Sequence, residues 1–203
     1  MPPRPLILAS TSRYRRELLQ RLALDFDAIA PDVDETPQAD EAPAKLAMRL
    51  ALAKAEAVTL RHPDAVVIGS DQVADLDGSP IGKPGDHIRA TAQLRAMRGR
   101  TVVFQTVVAV VCRASGFSEA SLASVSVRFR DLRDDEIEHY LRTEQPYDCA
   151  GSAKVETLGI ALLDTIDSDD PTALIGLPLI RTCALLRRAG IDPLRRAARA
   201  LSR

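Results

Sequence analysis

The residues best equipped for chemistry fall in a few short stretches. The first is Ser10-Thr11-Ser12-Arg13-Tyr14-Arg15-Arg16, which follows the apolar run Leu6–Ala9 and precedes a helical pattern. Small hydroxyl residues between a strand and a helix offer free backbone N–H groups and the positive end of the helix dipole, a pairing that suits phosphate. Arg13, Arg15 and Arg16 then crowd the first helical turn, where cations oppose the dipole unless an anion joins them. A serine N-cap beside solvated arginines is the plainer alternative. Tyr14 divides in the same way. It can offer an aromatic face to a base at the mouth of a phosphate site, or begin an apolar stripe with Leu18 and Leu22, which the spacing favours.

The acidic turn Asp32-Val33-Asp34-Glu35 supplies oxygen ligands of the kind Mg²⁺ takes, or is simply a solvated turn. Lys54 follows Ala47 and Leu50 on the apolar face of its helix, so it either snorkels to an edge or points a fixed charge into a site. Asp71 comes directly after the apolar run Val66–Gly69 and Ser70. A carboxylate at the carboxyl end of a strand sits where α/β sheets bind ligands, and there Asp71 can take a proton from water. Gly78-Ser79-Pro80-Ile81-Gly82-Lys83-Pro84 resembles a Walker loop but fails it: the glycines are one residue too close and Pro84 replaces the hydroxyl residue. Lys83 remains a lone phosphate clamp on a glycine turn.

These residues need elements to hold them. Leu6–Ala9, Phe26–Ala30 and Ala65–Gly69 read as strands, and Thr101–Cys112 and Ala120–Phe129 as two long strands joined at Ser115-Gly116. Tyr14–Ala23, Ala44–Leu60, Asp86–Met97, Asp134–Leu141 and Ile175–Ala189 read as helices, the last closed by Gly190. Asp75–Pro84 reads as a hairpin or loop over a site, while Cys149–Lys154 and Gly159–Leu163 read as short extended pieces. Arg195–Arg203 reads as a frayed tail or a solvated helix face. The order predicts one α/β domain over residues 1–203, built on a mixed sheet flanked by helices.

Composition excludes several functions. The 203 residues carry 27 basic and 28 acidic side chains, a net charge of −1, so no global field favours a nucleic-acid polymer. Aromatic residues make up 3%, too few for a single-strand stacking platform. No apolar run approaches the ~18 residues of a membrane span. Cys112, Cys149 and Cys183 are widely spaced, without a CxxC pair, which predicts neither zinc nor disulfides and places the chain in the reducing cytoplasm. His62, His87 and His139 lie in polar surroundings and offer no Ser–His triad. A small-molecule site is what remains.

Taken in order, Leu6–Leu19 (LILASTSRYRRELL), Pro31–Thr36 (PDVDET), Ile68–Val73 (IGSDQV), Gly82-Lys83-Pro84 and Gly176-Leu177-Pro178 resemble the Maf-like nucleotide pyrophosphatases over about residues 5–194. Ser70-Asp71-Gln72-Val73, Cys149-Ala150-Gly151-Ser152 and Lys154-Val155-Glu156 bring the chain closer to the 7-methyl-GTP pyrophosphatase subfamily. That resemblance implies an ITPase-like fold with a cleft between two lobes, and hydrolysis of a nucleoside triphosphate between the α and β phosphates with a divalent cation, Mg²⁺ or Mn²⁺. It places Asp71 as proton acceptor and Ser10, Arg15, Glu35, Lys54 and Lys83 at phosphate- and metal-handling positions, with Glu35 and Asp71 on the metal. Tyr14, Gln72 and Glu156 fall where the family sets base specificity; the subfamily more often carries tryptophan where this chain has Tyr14. N7-methylguanine is cationic, so an aromatic face and a carboxylate suit it. Hydrolysis of dTTP and UTP, or nucleotide-dependent regulation of cell division with little catalysis, are the alternatives. The resemblance also implies a homodimer.

Overall fold

A computed structural model of the chain describes residues 4–195. In chain order the first elements are β1 (Leu6–Ala9), α1 (Arg13–Gln20), β2 (Asp27–Ile29), α2 (Pro43–Thr59), β3 (Val66–Leu76), β4 (Ser79–Ile81) and α3 (His87–Met97). They are followed by β5 (Thr101–Cys112), β6 (Phe117–Phe129), α4 (Asp134–Glu144), β7 (Leu163–Asp167) and α5 (Leu179–Arg188). The seven strands form one sheet in the order β2-β1-β3-β5-β6-β7, with β4 paired to β3 alone. β1 runs parallel to β2 and β3, and every other pairing is antiparallel. The fold is the mixed α/β sheet with flanking helices that the element order predicts.

The valine-rich run of β5 shows why. Val107, Ala109 and Val111 pack into the cluster under α2, with Leu46, Leu50 and Ala51. Val108, Val110 and Cys112 face the other way, onto Leu18 and Leu19 of α1 and Leu185 and Leu186 of α5. A strand covered on both faces reads as a continuous apolar run, whereas one solvated face would give alternation. A third cluster lies toward the other end of the sheet. It joins Phe104, Val125 and Phe129 to Leu94 and Met97 of α3 and Ile137 and Leu141 of α4. The chain thus has two lobes of packing along a shared sheet.

The gap between the lobes comes from strand lengths. β5 covers one edge of β3 from Val67 to Asp75. On the other edge, β1 stops at Ala9 opposite Gly69, and β4 begins pairing only at Ala74. Ser70–Val73 lie between these two partners, and this uncovered stretch of edge is the floor of a cleft. α2 reaches it closely because it crosses β3 at Gly69, where a Cβ would meet the Ala51 carbonyl oxygen at 2.1 Å and the Ala55 nitrogen at 2.8 Å. Glycine in a strand interior marks such backbone contact.

Four local expectations change. β3 does not end near Gly69 but continues to Leu76, because β5 pairs with it throughout; Asp71 is therefore mid-strand, and the ending strand is β1. Cys149–Lys154 is not extended: Ala150–Ser152 is a 3₁₀ turn in which Gly151 has φ 67°. Gly159–Leu163 likewise falls mostly in the 3₁₀ turn Leu158–Leu162, and β7 begins at Leu163. The last helix starts at Leu179, not Ile175. Gly176 at φ 121° breaks the chain away from the 3₁₀ turn Ala173–Ile175, and Pro178 takes the N-cap position. Most of the arginine-rich end, residues 196–203, lies outside the described residues. Among the described residues, no helix is long and apolar enough to cross a membrane.

Candidate active site

Side chains alternate along β3, so the cleft receives two sets of groups. Asp71 shares a face with Gly69 and Val73, toward α2, while Ser70 and Gln72 point to the opposite face. On the α2 face, Lys54 meets Asp71 Oδ1 and Glu35 Oε1, each 2.7 Å from Nζ. Lys54 and Asp71 are buried, at 4% and 7% exposed, whereas Glu35 comes from the solvent-facing loop after β2. Lys54 therefore does not snorkel. Its helix face carries it under the cleft, with a carboxylate on either side.

That loop is braced by α2 itself. Arg49 grips Glu41 through two contacts of 2.7 Å and reaches the Thr36 carbonyl at 3.1 Å, and the Asp34 carboxylate accepts the Thr36 N–H at 2.9 Å. One helix thus fixes both Lys54 and the segment that delivers Glu35. Asp34 serves the turn, while Glu35 is the member of the acidic run that lines the cleft.

On the opposite face, the Gly176 carbonyl is a shared anchor. It accepts from Ser70 Oγ at 3.0 Å and from Arg15 Nε at 2.9 Å. Gln72 Nε2 lies within 3.0 Å of Thr106 Oγ1 and the Ala173 and Leu174 carbonyls. Its donor is therefore spent on the loop before α5, and its carbonyl oxygen is the part left for a ligand. At the start of α1, Ser10 Oγ accepts the Ser12 N–H at 3.1 Å and Ser12 Oγ caps the Arg15 N–H at 3.4 Å. The expected serine cap exists, and Arg15 turns inward to the Gly176 carbonyl while Arg13 and Arg16 stay exposed.

The second lobe supplies Lys83 on the turn after β4, and Cys149 and Glu156 on the segment after α4, all lining the cleft. Gln93 of α3 ties these two segments together. Its Nε2 donates to the Gly82 carbonyl at 3.1 Å, and its Oε1 accepts from Ser152 Oγ at 2.6 Å. Tyr140 of α4 extends the tie, donating to the Ser152 carbonyl at 3.1 Å and accepting the Lys154 N–H at 2.9 Å. Gln93, Arg49 and Thr106 escape a reading by residue type, since each acts on the site through another segment. Gly69 alone carried a signal, as one glycine inside a Val/Ile run.

Tyr14 stands in the cleft rather than in the core, so the stripe its spacing favours begins at Leu18. Burial pushes its hydroxyl up to about 12, which keeps it protonated at neutral pH. Burial likewise raises the Cys149 thiol to about 12, with Asp148 adding to the effect, so it is no thiolate nucleophile. Burial lowers the Arg15 guanidinium from its usual value while Asp71 and Glu35 pull the other way. For Glu35, burial acts upward, but Lys54, Lys83 and Arg15 outweigh it and hold the carboxyl below its ordinary value. A cluster of cations around two carboxylates is thus the field an incoming polyanion meets. The cleft encloses about 680 Å³, within the range of small-molecule and cofactor pockets.

The Maf-like protein family model matches residues 5–189. This chain belongs to the Maf-like family. Relatives within it are close. A protein named 7-methyl-GTP pyrophosphatase from Polaromonas sp. (strain JS666) is 70% identical over 188 residues, covering 93% of this chain and 86% of the relative. Proteins of the same name from Albidiferax ferrireducens and Bordetella pertussis are 64% and 60% identical; the first covers 94% of this chain and 96% of the relative, the second 96% of each. Among solved structures, that of the Staphylococcus aureus Ham1 protein overlaps at TM-score 0.45 and 16% identity, over 63% of this chain and 73% of that one.

Proposed function

We propose that this Maf-like chain hydrolyses 7-methyl-GTP to the monophosphate and pyrophosphate. The observation that carries the chemistry is the buried Lys54 held between Asp71 and Glu35 on the floor of the cleft. The substrate comes from the name shared by relatives at 60–70% identity. Tyr14, Gln72 and Glu156, all in the cleft wall, are consistent with it.

The family resemblance implies a divalent cation, and the donors here suit one. Two carboxylates from separate elements converge on Lys54 Nζ, and Mg²⁺ is commonly held by one or two carboxylates plus substrate phosphates. Asp71 and Glu35 would hold it, and the ion would supply charge neutralisation on the phosphates. Among the described residues no group of three His, Cys, Asp or Glu side chains is placed to hold a metal, so an ion held by Asp71 and Glu35 would need substrate phosphates as further ligands.

The side chains then divide the work. Arg15, Lys54 and Lys83 meet the phosphate charge, with the start of α1 and Ser10 beside them. Asp71 accepts a proton from water as its oxygen bonds to phosphorus. The P–O bond from the attacked phosphorus to the oxygen bridging the α and β phosphates breaks, its electron pair stays on that oxygen, and the monophosphate and pyrophosphate separate. Tyr14 stacks on the base, Glu156 accepts from the guanine N1/N2 edge, and the Gln72 carbonyl oxygen aligns base or sugar. The same reading puts the protein in the cytoplasm, in keeping with three free cysteines, and makes it a homodimer on family resemblance.

Pyrophosphate release from 7-methyl-GTP, GTP, dTTP, UTP and ITP with Mg²⁺ or Mn²⁺ tests the proposal. Preference for 7-methyl-GTP supports it. Preference for dTTP and UTP overturns the base assignment, and no release from any of them overturns the activity.

A further inference from the structure

Arg13 and Tyr14 are the first two residues of α1. Neighbours on a helix point about 100° apart, so spacing alone does not bring them face to face. Arg13 nonetheless folds across its neighbour. Its guanidinium carbon lies 4.7 Å from the Tyr14 ring centroid, and its Nη2 donates to the Tyr14 hydroxyl at 3.0 Å. Both residues line the cleft. The ring of Tyr14 thus already has a delocalised cation over it.

The base of 7-methyl-GTP is also a flat ring carrying delocalised positive charge, and it draws on the same aromatic quadrupole. Two such cations on one tyrosine oppose each other. On the same face, one excludes the other; on opposite faces, they repel through the ring and divide its quadrupole. A neutral guanine suffers only the first of these effects and gains less from the ring to begin with. Resting on the reading that the cationic base stacks on Tyr14, we propose that Arg13 is a specificity-determining residue that works against the methylated base. It competes for Tyr14 and narrows the preference for 7-methyl-GTP over GTP.

Arg13 is exposed, so its replacement does not threaten the fold, and Arg13→Ala and Arg13→Met both remove the competitor. Exposed cation–π pairs correspond to an effect of about two- to five-fold. The ratio of KM for GTP to KM for 7-methyl-GTP rises by that factor in both variants. An unchanged or falling ratio overturns the proposal, including the case where both KM values rise together, which marks Arg13 as a phosphate contact. Calorimetric titration with 7-methylguanosine and guanosine gives a readout without phosphate or turnover. The variants tighten the first more than the second; equal effects on both nucleosides overturn the proposal. Should the unsubstituted protein hydrolyse neither nucleotide, the functional assignment fails, and the nucleoside titration still decides the role of Arg13.

Discussion

Gly69→Ala tests whether helix–strand packing sets the catalytic geometry. The added Cβ would lie 2.1 Å from the Ala51 carbonyl oxygen, about 1.3 Å inside the 3.4 Å at which ordinary contact begins, and 2.8 Å from the Ala55 nitrogen. Both atoms are helix backbone, so no side-chain rotation relieves them and α2 must retreat from β3. Overpacking of this kind costs about 1–3 kcal/mol. With a urea slope of about 2 kcal/mol/M, the unfolding midpoint falls by roughly 0.5–1.5 M. The retreat also has a catalytic consequence, because α2 carries Lys54 and β3 carries Asp71, two residues beyond the glycine. Their 2.7 Å contact stretches as the helix moves, and a misplacement of about 1 Å costs on the order of 10²-fold in rate. Urea unfolding followed by circular dichroism and pyrophosphate release at a temperature where the variant is fully folded measure the two effects separately. A variant as stable and as active as the unsubstituted protein would refute the reasoning.

Three further outcomes follow from the site. Tyr14→Ala raises KM for 7-methyl-GTP more than for GTP, by about 2- to 30-fold for a cation–π contact of 0.5–2 kcal/mol; equal effects on both substrates would remove the stacking role. Gln93→Ala frees the Gly82–Lys83 turn and the 149–156 segment together and raises KM about five-fold for a hydrogen bond of about 1 kcal/mol, with Gln93→Glu restoring only the Ser152 contact; unchanged KM in Gln93→Ala would show that the tie is idle. The Arg49 pair and the Gln38 N–H hold the Glu41 carboxyl down at about 2, against its ordinary 4.5. A depressed acid stabilises the fold fully above its unfolded value and loses that contribution as pH falls through its folded value. The stability gap between the unsubstituted protein and Glu41→Gln is therefore constant above about pH 5 and closes toward pH 2, and a gap that widens on acidification would contradict the pairing.

Much of this molecule is legible from residue types, and the exceptions have physical causes. β1, α2 and β5 announce themselves because each buries a continuous or periodic apolar face. Lys54 is legible as an anomaly, a cation on such a face, but spacing alone does not decide between snorkelling and function; its two carboxylate partners arrive from segments 19 and 17 residues away. Asp71 is visible in the sequence, whereas its mid-strand setting is not. The polar residues Ser70 and Gln72 resemble a strand end, yet pairing with β5 carries the strand through them. The segments around Ala150 and Gly159 defeated a local reading because their conformation is set by Gln93, Tyr140 and Glu144 on other helices. The spacing of Tyr14 to Leu18 and Leu22 favours the core, although the residue lines the cleft, since periodicity gives the face of a helix but not where the covering layer stops.

The central claim is that Asp71 takes the proton from water in a site built around Lys54. Asp71→Asn keeps the shape of the side chain and removes that capacity. Pyrophosphate release from 7-methyl-GTP at saturating substrate falls by about 10²–10⁴ in a variant whose circular dichroism spectrum matches that of the unsubstituted protein. Turnover within a few-fold of the unsubstituted rate would contradict the account.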